Sequence, residues 1–209
     1  MSKYSIRGCW KVLIEGVLLA LIIGKVRGGK FKSLGQVSIR NPWMFILAFA
    51  IEFGTLFAVS AGFEVMREYS MYLHTLSYLI LFVGIITNRE YPAMWVIFLG
   101  SLLNFIVIFI NGGAMPISIE GLIRAGLEQE AQIISSGGII THQPLTAATR
   151  IPILADIIIL PPPYPFPKLM SIGDFIISLG VIMFVQKAML QEKISRQNRM
   201  IRFKYKSRI

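Results

Sequence analysis

Two aspartates set in apolar sequence are the first residues to weigh for chemistry. Asp156 lies in Leu154-Ala155-Asp156-Ile157-Ile158-Ile159-Leu160, and Asp174 in Ser171-Ile172-Gly173-Asp174-Phe175-Ile176-Ile177. Burial penalises a carboxylate and a second carboxylate beside it adds repulsion, so two brought together in apolar surroundings share a proton near neutral pH. One can then act as general base and the other as general acid on a water molecule, as in an aspartyl hydrolase. Each also has a simpler use. Asp174 can cap the helix that follows it and meet the positive end of its dipole, while Asp156 can pair with Arg150 or cap a helix.

Two further constellations could bind a ligand. In Asn111-Gly112-Gly113-Ala114-Met115-Pro116 the glycines permit a sharp turn or close approach, and the Asn111 amide can satisfy backbone groups freed at a helix end. Elsewhere Glu15, Glu52, His74 and Asn104 fall inside apolar stretches, where lipid should not see them. Glu52 is the most costly of these, and it must stay protonated, pair with a group such as His74 or line a polar cavity. That leaves structural hydrogen bonding, solute binding or transport through Glu52 and His74 as readings. Only His74 and His142 supply imidazoles and Cys9 is the single cysteine, so no disulfide, cysteine cluster or histidine metal site is expected. Walker, dinucleotide-binding, His-Glu-x-x-His and Gly-x-Ser-x-Gly patterns are absent from the sequence, and no cofactor is expected.

The elements that must position these residues are membrane helices. The chain is 55% hydrophobic with a mean hydropathy of +0.65, a balance suited to a bilayer rather than to water. A helix needs roughly 20 mostly apolar residues to cross the hydrocarbon core. Stretches near 10–23, 42–63, 71–87, 92–110 and 171–189 meet this, the first and third at the short end. The first has basic residues ahead of it, as a secretory signal does, but no small-x-small cleavage site follows, so it reads as a retained span. The 21 Lys and Arg against 11 Asp and Glu cluster beside these stretches, which points to membrane topology and anionic headgroups rather than nucleic acid.

Lys25, Arg27, Lys30, Lys32 and Arg40 occupy the first connection, and the tail from Lys187 to Arg208 is basic throughout. The positive-inside rule makes both cytoplasmic, which places the 111–170 connection outside and agrees with five spans. That connection is too long for a passive turn. Residues 119–134 within it carry Ile119, Leu122, Ile123, Leu127, Ala131 and Ile134 at helical spacing opposite Glu120, Arg124, Glu128 and Glu130, with Ser118 placed as cap, so one amphipathic helix is expected. It would lie on the membrane or fold over the helices as a lid. Prolines 161–163, 165 and 167 forbid a helix and favour a stiff extended strut between the two aspartates.

The runs Asn111 to Pro116, Thr149-Arg150-Ile151-Pro152-Ile153-Leu154-Ala155-Asp156 and Ser171-Ile172-Gly173-Asp174 resemble the signature of an uncharacterised family of multi-pass bacterial membrane proteins, the clostridial DUF5317 type. That resemblance implies a protein of the bacterial plasma membrane and no particular activity. A fainter similarity, one of arrangement, is to lipoprotein signal peptidase, an intramembrane aspartyl protease whose last span opens with a catalytic Asp and whose other Asp lies shortly before it. Asp156 and Asp174 are 18 positions apart, but the Gly-Asn-x-x-Asp-Arg and Asn-x-Ala-Asp blocks of that family are not present.

The expectation is therefore an all-α polytopic transmembrane bundle with about five spans over residues 1–189, an amphipathic-helix cap at 111–170 outside the membrane and a basic cytoplasmic tail at 190–209. Its function reads as an accessory or small-solute- or lipid-binding membrane component; the alternatives are an outer-face hydrolase using Asp156 and Asp174 and a transporter using Glu52 and His74. Asn111, Gly112, Gly113 and Arg150 complete the candidate binding residues. Membrane lipids, with anionic headgroups at the tail, are the expected partners, beside a membrane-protein partner of unspecified kind.

Overall fold

The computed structural model describes residues 7–206, with side chains from 16 to 190. The side chains of Cys9, of the candidate Glu15 and of the tail from 191 on lie outside the described residues. The architecture is an all-α polytopic bundle. Its long helices are α1 (Arg7–Val26), α3 (Pro42–Ser60), α5 (Ser70–Thr87), α6 (Pro92–Ile110) and α9 (Ile172–Lys206), with short α2 (Phe31–Leu34) and α4 (Glu64–Glu68) in two connections. α3, α5, α6 and the Ile172–Leu190 part of α9 are each long and apolar enough to cross a membrane, and α1 contributes a shorter apolar stretch, Gly16–Val26. The expected fourth span coincides with α6. The expected second span is shorter by three residues, because the chain turns at Ala61 and Gly62 (φ +93°) and then forms α4.

Proline sets two helix starts. Pro42 and Pro92 occupy first positions of α3 and α6, where the missing N–H costs no helical hydrogen bond and the fixed φ favours entry. The helices form a row, α3 on α5, α5 on α6, α6 on α9 and α9 on α1, with α6 and α9 packed most extensively. Their contact depends on small residues, as membrane helices lack a hydrophobic drive toward one another and gain from close packing instead. A methyl added at Gly100 would meet the Gly173 carbonyl at 2.6 Å and Ile177 N at 2.8 Å, and one at Gly180 would meet Ile97 N at 2.9 Å. The outer sides of the row keep Ile46, Phe57, Trp43, Trp95 and Tyr72 more than half exposed. In a bilayer these are lipid contacts, with the Trp and Tyr rings toward helix ends where aromatic residues favour the interface.

The segment between α6 and α9 folds as a small cap with a core of its own. It contains β1 (Met115–Ile117), α7 (Ile119–Arg124), α8 (Glu128–Ser135), β2 (His142–Pro144), a 3-10 turn at Pro152–Leu154, β3 (Ile158–Leu160) and β4 (Lys168–Met170). β1 pairs in parallel with β2, with Met115 opposite His142, and β3 pairs antiparallel with β4, with Ile158 opposite Met170. Ser118 caps α7 as expected, its Oγ accepting from Gly121 N at 3.0 Å.

Two expectations for the cap are corrected. Residues 119–134 form two helices, not one, because Gly126 takes φ +75° and Leu127 N returns to the Leu122 carbonyl at 2.9 Å, a glycine-terminated helix end. Their apolar faces close on Ile117, Leu169, Ile139 and Ile159 within the cap. The proline-rich segment is no strut. It is the exposed loop of the β3–β4 hairpin, and the prolines sit where no ladder hydrogen bond is needed.

Candidate functional site

The β3–β4 hairpin decides where the two aspartates lie. With Ile158 paired to Met170, residue 156 and the first turn of α9 return to the same place, and Asp156 and Asp174 are close enough for their charges to interact. Asp174 is held on all sides. Its N–H donates to Ser171 Oγ at 2.9 Å and its Oδ2 accepts from Ser171 N at 3.2 Å, a reciprocal capping box at the start of α9. Its Oδ1 accepts from Asn104 Nδ2 at 2.7 Å, and Ser171 Oγ donates to Asn104 Oδ1 at 2.9 Å. Capping, foreseen for Asp174, is what it does, and Asn104 is the α6 residue that completes the arrangement.

Asp156 does not pair with Arg150. Its Oδ2 lies 3.4 Å from His142 Nε2, and its backbone N–H donates to the Pro116 carbonyl at 2.9 Å, docking the segment beside β1. Asp156 is 5% exposed and its Oδ1 has no hydrogen-bond partner. Arg150 is bound through its main chain. Arg150 N donates to Asn111 Oδ1 at 2.9 Å and the Arg150 carbonyl accepts from Asn111 Nδ2 at 2.9 Å, while Nδ2 also reaches the Val107 carbonyl at 2.7 Å. One amide thus ends α6 and clasps the cap to it. Asn88 does the same at the other end of the row, accepting from Arg40 N at 2.7 Å and donating to the Arg40 carbonyl at 2.9 Å and the Gly84 carbonyl at 2.8 Å. In both places an Arg is followed by a left-handed residue, Asn41 or Ile151 (each φ 51°), and then by Pro.

A second cluster lies across the same end of the row. Glu52 of α3 and His74 of α5 are paired, His74 Nδ1 standing 2.7 and 2.8 Å from the two carboxylate oxygens, and Ser77 Oγ donates to Glu52 Oε2 at 3.2 Å. The pairing follows from the helix hairpin: α3 and α5 run antiparallel through a short connection, which sets the middle of one beside the first turns of the other. The pair borders a shallow recess of about 10 Å³, room for one water-sized group, lined by Thr55, Leu56 and Ser70 of the helices and by Gly113, Ile140 and Thr141 of the cap. His74 Nε2 is buried and without a hydrogen-bond partner.

Gly113 therefore belongs beside Glu52 and His74, packed over Met71, and not with the aspartates; Gly112 faces open space. The link between the clusters is a residue that the sequence did not mark. Thr141 Oγ1 lies 2.9 Å from His142 Nδ1, so Thr141 lines the cleft while His142 turns its other nitrogen to Asp156. His142 was visible only as an imidazole in a polar loop, with no period or motif around it. Among the described residues no group of three or more His, Cys, Asp or Glu is placed to hold a metal ion.

A family model described as a family of unknown function, DUF5317, matches residues 36–186. The chain belongs to that family. The match runs from just before the Arg40–Asn88 clasp through Asp174, so it takes in both clusters and the cap. An uncharacterised protein of Thermotoga maritima is 25% identical over 186 residues, covering 88% of this chain and 97% of its own length. No solved structure matches. The protein is a multi-pass membrane protein of a family whose activity is unknown.

Proposed function

We propose that this DUF5317 protein is a small-solute-binding component of the bacterial plasma membrane, with its binding site in the cleft between α3, α5 and the cap. The observation that carries the reading is the hydrogen-bonded pair of Glu52 and His74 from two membrane helices, which meets a cap loop at a recess of about 10 Å³, and the buried His74 Nε2 of that pair has no hydrogen-bond partner. Buried polar groups are hydrogen-bonded in folded proteins, and an exception in a residue that lines a recess marks a place where a water or a ligand group could complete it. The cap faces outside the cell and the first connection and tail face the cytoplasm, a reading supported by Lys25, Arg27, Lys30, Lys32 and Arg40 in the first connection and by the run of Lys and Arg in the tail, both denser in basic residues than the cap. In this orientation residues 111–170 form the outer cap and the basic tail from 190 lies against anionic headgroups.

A hydrolase built on Asp156 and Asp174 is the weaker reading. Both Asp174 oxygens are committed to Asn104 and Ser171, which leaves Asp156 Oδ1 as the open valence of the pair. Cleft access from outside is tested by cysteine labelling. With Cys9→Ser as background, Ile140→Cys is expected to react with a membrane-impermeant methanethiosulfonate added to intact cells; a thiol that reacts only after permeabilisation, or not at all, refutes the outward-facing site.

A further inference from the structure

The cap distributes its charge unevenly. Between Arg150 and Lys168 the one charged residue is Asp156, and it is buried. The same stretch leaves Ile151, Ile153, Ile158, Tyr164 and Phe166 exposed, Ile153 at 62% and Phe166 at 47%. The strand register decides which way this surface looks. Cross-strand partners share a face, so Ile159 and Leu169 lie on one side of the β3–β4 hairpin, and Ile158, Leu160, Lys168 and Met170 lie on the other. The first side closes on the cap core with α7 and α8, whose Glu120, Arg124 and Glu128 are exposed. Ile158 and Lys168 therefore face away from the charged helices.

This uncharged side continues the lipid-facing surface of the bundle. The 3-10 turn Pro152–Leu154 packs against α6 and α9, with Leu154 turned in toward Val107, Ile108 and Met115 and Ile153 left outside. Phe175, in the first turn of α9 just beyond β4, is 63% exposed. An apolar surface of this extent marks an interaction site, and a cation stands at each end of it. Arg150 is held to Asn111 by its main chain while its side chain is exposed, and Lys168 Nζ stands 5.8 Å from the centroid of the Tyr164 ring. Aromatic rings beside cations suit the headgroup layer, where the ring meets the first acyl carbons and the cation meets a phosphate. Strands of three residues joined through prolines offer little edge for a second copy to pair with. We propose that the 151–168 surface docks into the headgroup layer of the protein's own bilayer, in the leaflet at the cap end. Ile153, Tyr164 and Phe166 enter among the first acyl carbons, and Arg150 and Lys168 contact the phosphates of anionic phospholipids. The hairpin, rather than the amphipathic helices, is then the part of the cap that lies in the interface, and it holds Asp156 and the start of α9 at that depth.

The docking does not depend on a solute site or on which leaflet holds the cap. It is tested on the full chain with Cys9→Ser as background, in nanodiscs holding one copy each. The environment-sensitive fluorophore NBD is attached at Phe166→Cys, at Ile153→Cys or, on the charged side of the cap, at Glu128→Cys. All three positions are exposed, so each label leaves the core intact. In phosphatidylcholine mixed with phosphatidylglycerol, emission from positions 166 and 153 is expected at shorter wavelength than from position 128. Phosphatidylcholine spin-labelled near the headgroup end of its acyl chain is expected to quench both at least about twofold more than position 128. Phosphatidylglycerol is expected to raise that quenching over phosphatidylcholine alone, and Arg150→Gln combined with Lys168→Gln is expected to abolish the increase. Arg150→Gln leaves the Asn111 clasp in place, because the clasp uses only the main chain of residue 150. Equal emission and quenching at the three positions overturns the docking. A shift to shorter wavelength that spin-labelled lipid does not quench, or that appears only in discs holding two copies, assigns the surface to a protein contact and overturns it as well. Quenching indifferent to phosphatidylglycerol and to both substitutions overturns the contact with anionic phosphates.

Discussion

The α6–α9 contact offers the most direct test of the architecture. Replacing Gly100 by Ala places a methyl 2.6 Å from the Gly173 carbonyl oxygen and 2.8 Å from both Ile177 N and Ile177 Cγ1. Two of those atoms are backbone and cannot swing aside, so α6 and α9 must separate by several tenths of an ångström to restore ordinary contact. Overpacking of a fitted interface costs about 1–3 kcal/mol, and at the most extensive helix contact in the protein the upper part of that range is expected. Gly54 is the internal control. It lies in α3, exposed, with nothing within 4 Å of its added methyl, so Gly54→Ala gains only the helix preference of Ala, about 0.5–1 kcal/mol. Thermal unfolding of the purified protein in a mild detergent, followed by size exclusion or intrinsic fluorescence, should therefore move in opposite directions for the two variants. A Gly100→Ala protein as stable as Gly54→Ala would falsify the close approach of these helices.

Asn111→Ala removes three hydrogen bonds to the Arg150 and Val107 main chain, each worth about 0.5–1.5 kcal/mol net; limited trypsin digestion should cut after Arg150 markedly faster, and an unchanged rate would sink the clasp. Ser171→Ala breaks the capping box of α9 and should cost about 0.5–2 kcal/mol in the same unfolding assay. Gly126→Ala forces a left-handed residue between α7 and α8 at a cost of about 1–2 kcal/mol, to be read as faster hydrogen exchange across the cap while α5 and α6 keep their protection. A reporter fused after Ile209 should fold and fluoresce as a cytoplasmic domain; activity of a periplasmic-type reporter at that position would reverse the orientation.

Much of the membrane architecture was legible because bilayer crossing is a one-dimensional requirement. Length and hydropathy locate Pro42–Ser60, Ser70–Thr87 and Pro92–Ile110 almost to the residue, and the prolines at two of the starts mark the boundaries. The pairing of Glu52 with His74 was legible for a related reason: two costly polar groups on successive antiparallel spans have few other places to go. The cap was harder. The helical period across 119–134 is real, yet it does not register that Gly126 takes a left-handed conformation and divides the helix, since the same glycine is tolerated inside a helix when its surroundings allow.

By itself, the sequence determined that the chain is a polytopic helical membrane protein, where most of its helices begin and end, that Ser118 and Asp174 sit at helix starts, and which polar groups needed partners. Those properties depend on neighbours along the chain and on the solvent around it. Only the tertiary structure decided who the partners are. The aspartates come within range of each other's charge because strand pairing folds the proline-rich segment back as a hairpin, Asp156 takes His142 instead of Arg150 because Asn111 holds the Arg150 backbone, and Thr141 lines the recess because β2 runs beside β1. Each of these joins residues brought together by backbone pairing or a side-chain clasp across the fold, and no local pattern of hydrophobicity or charge encodes that register.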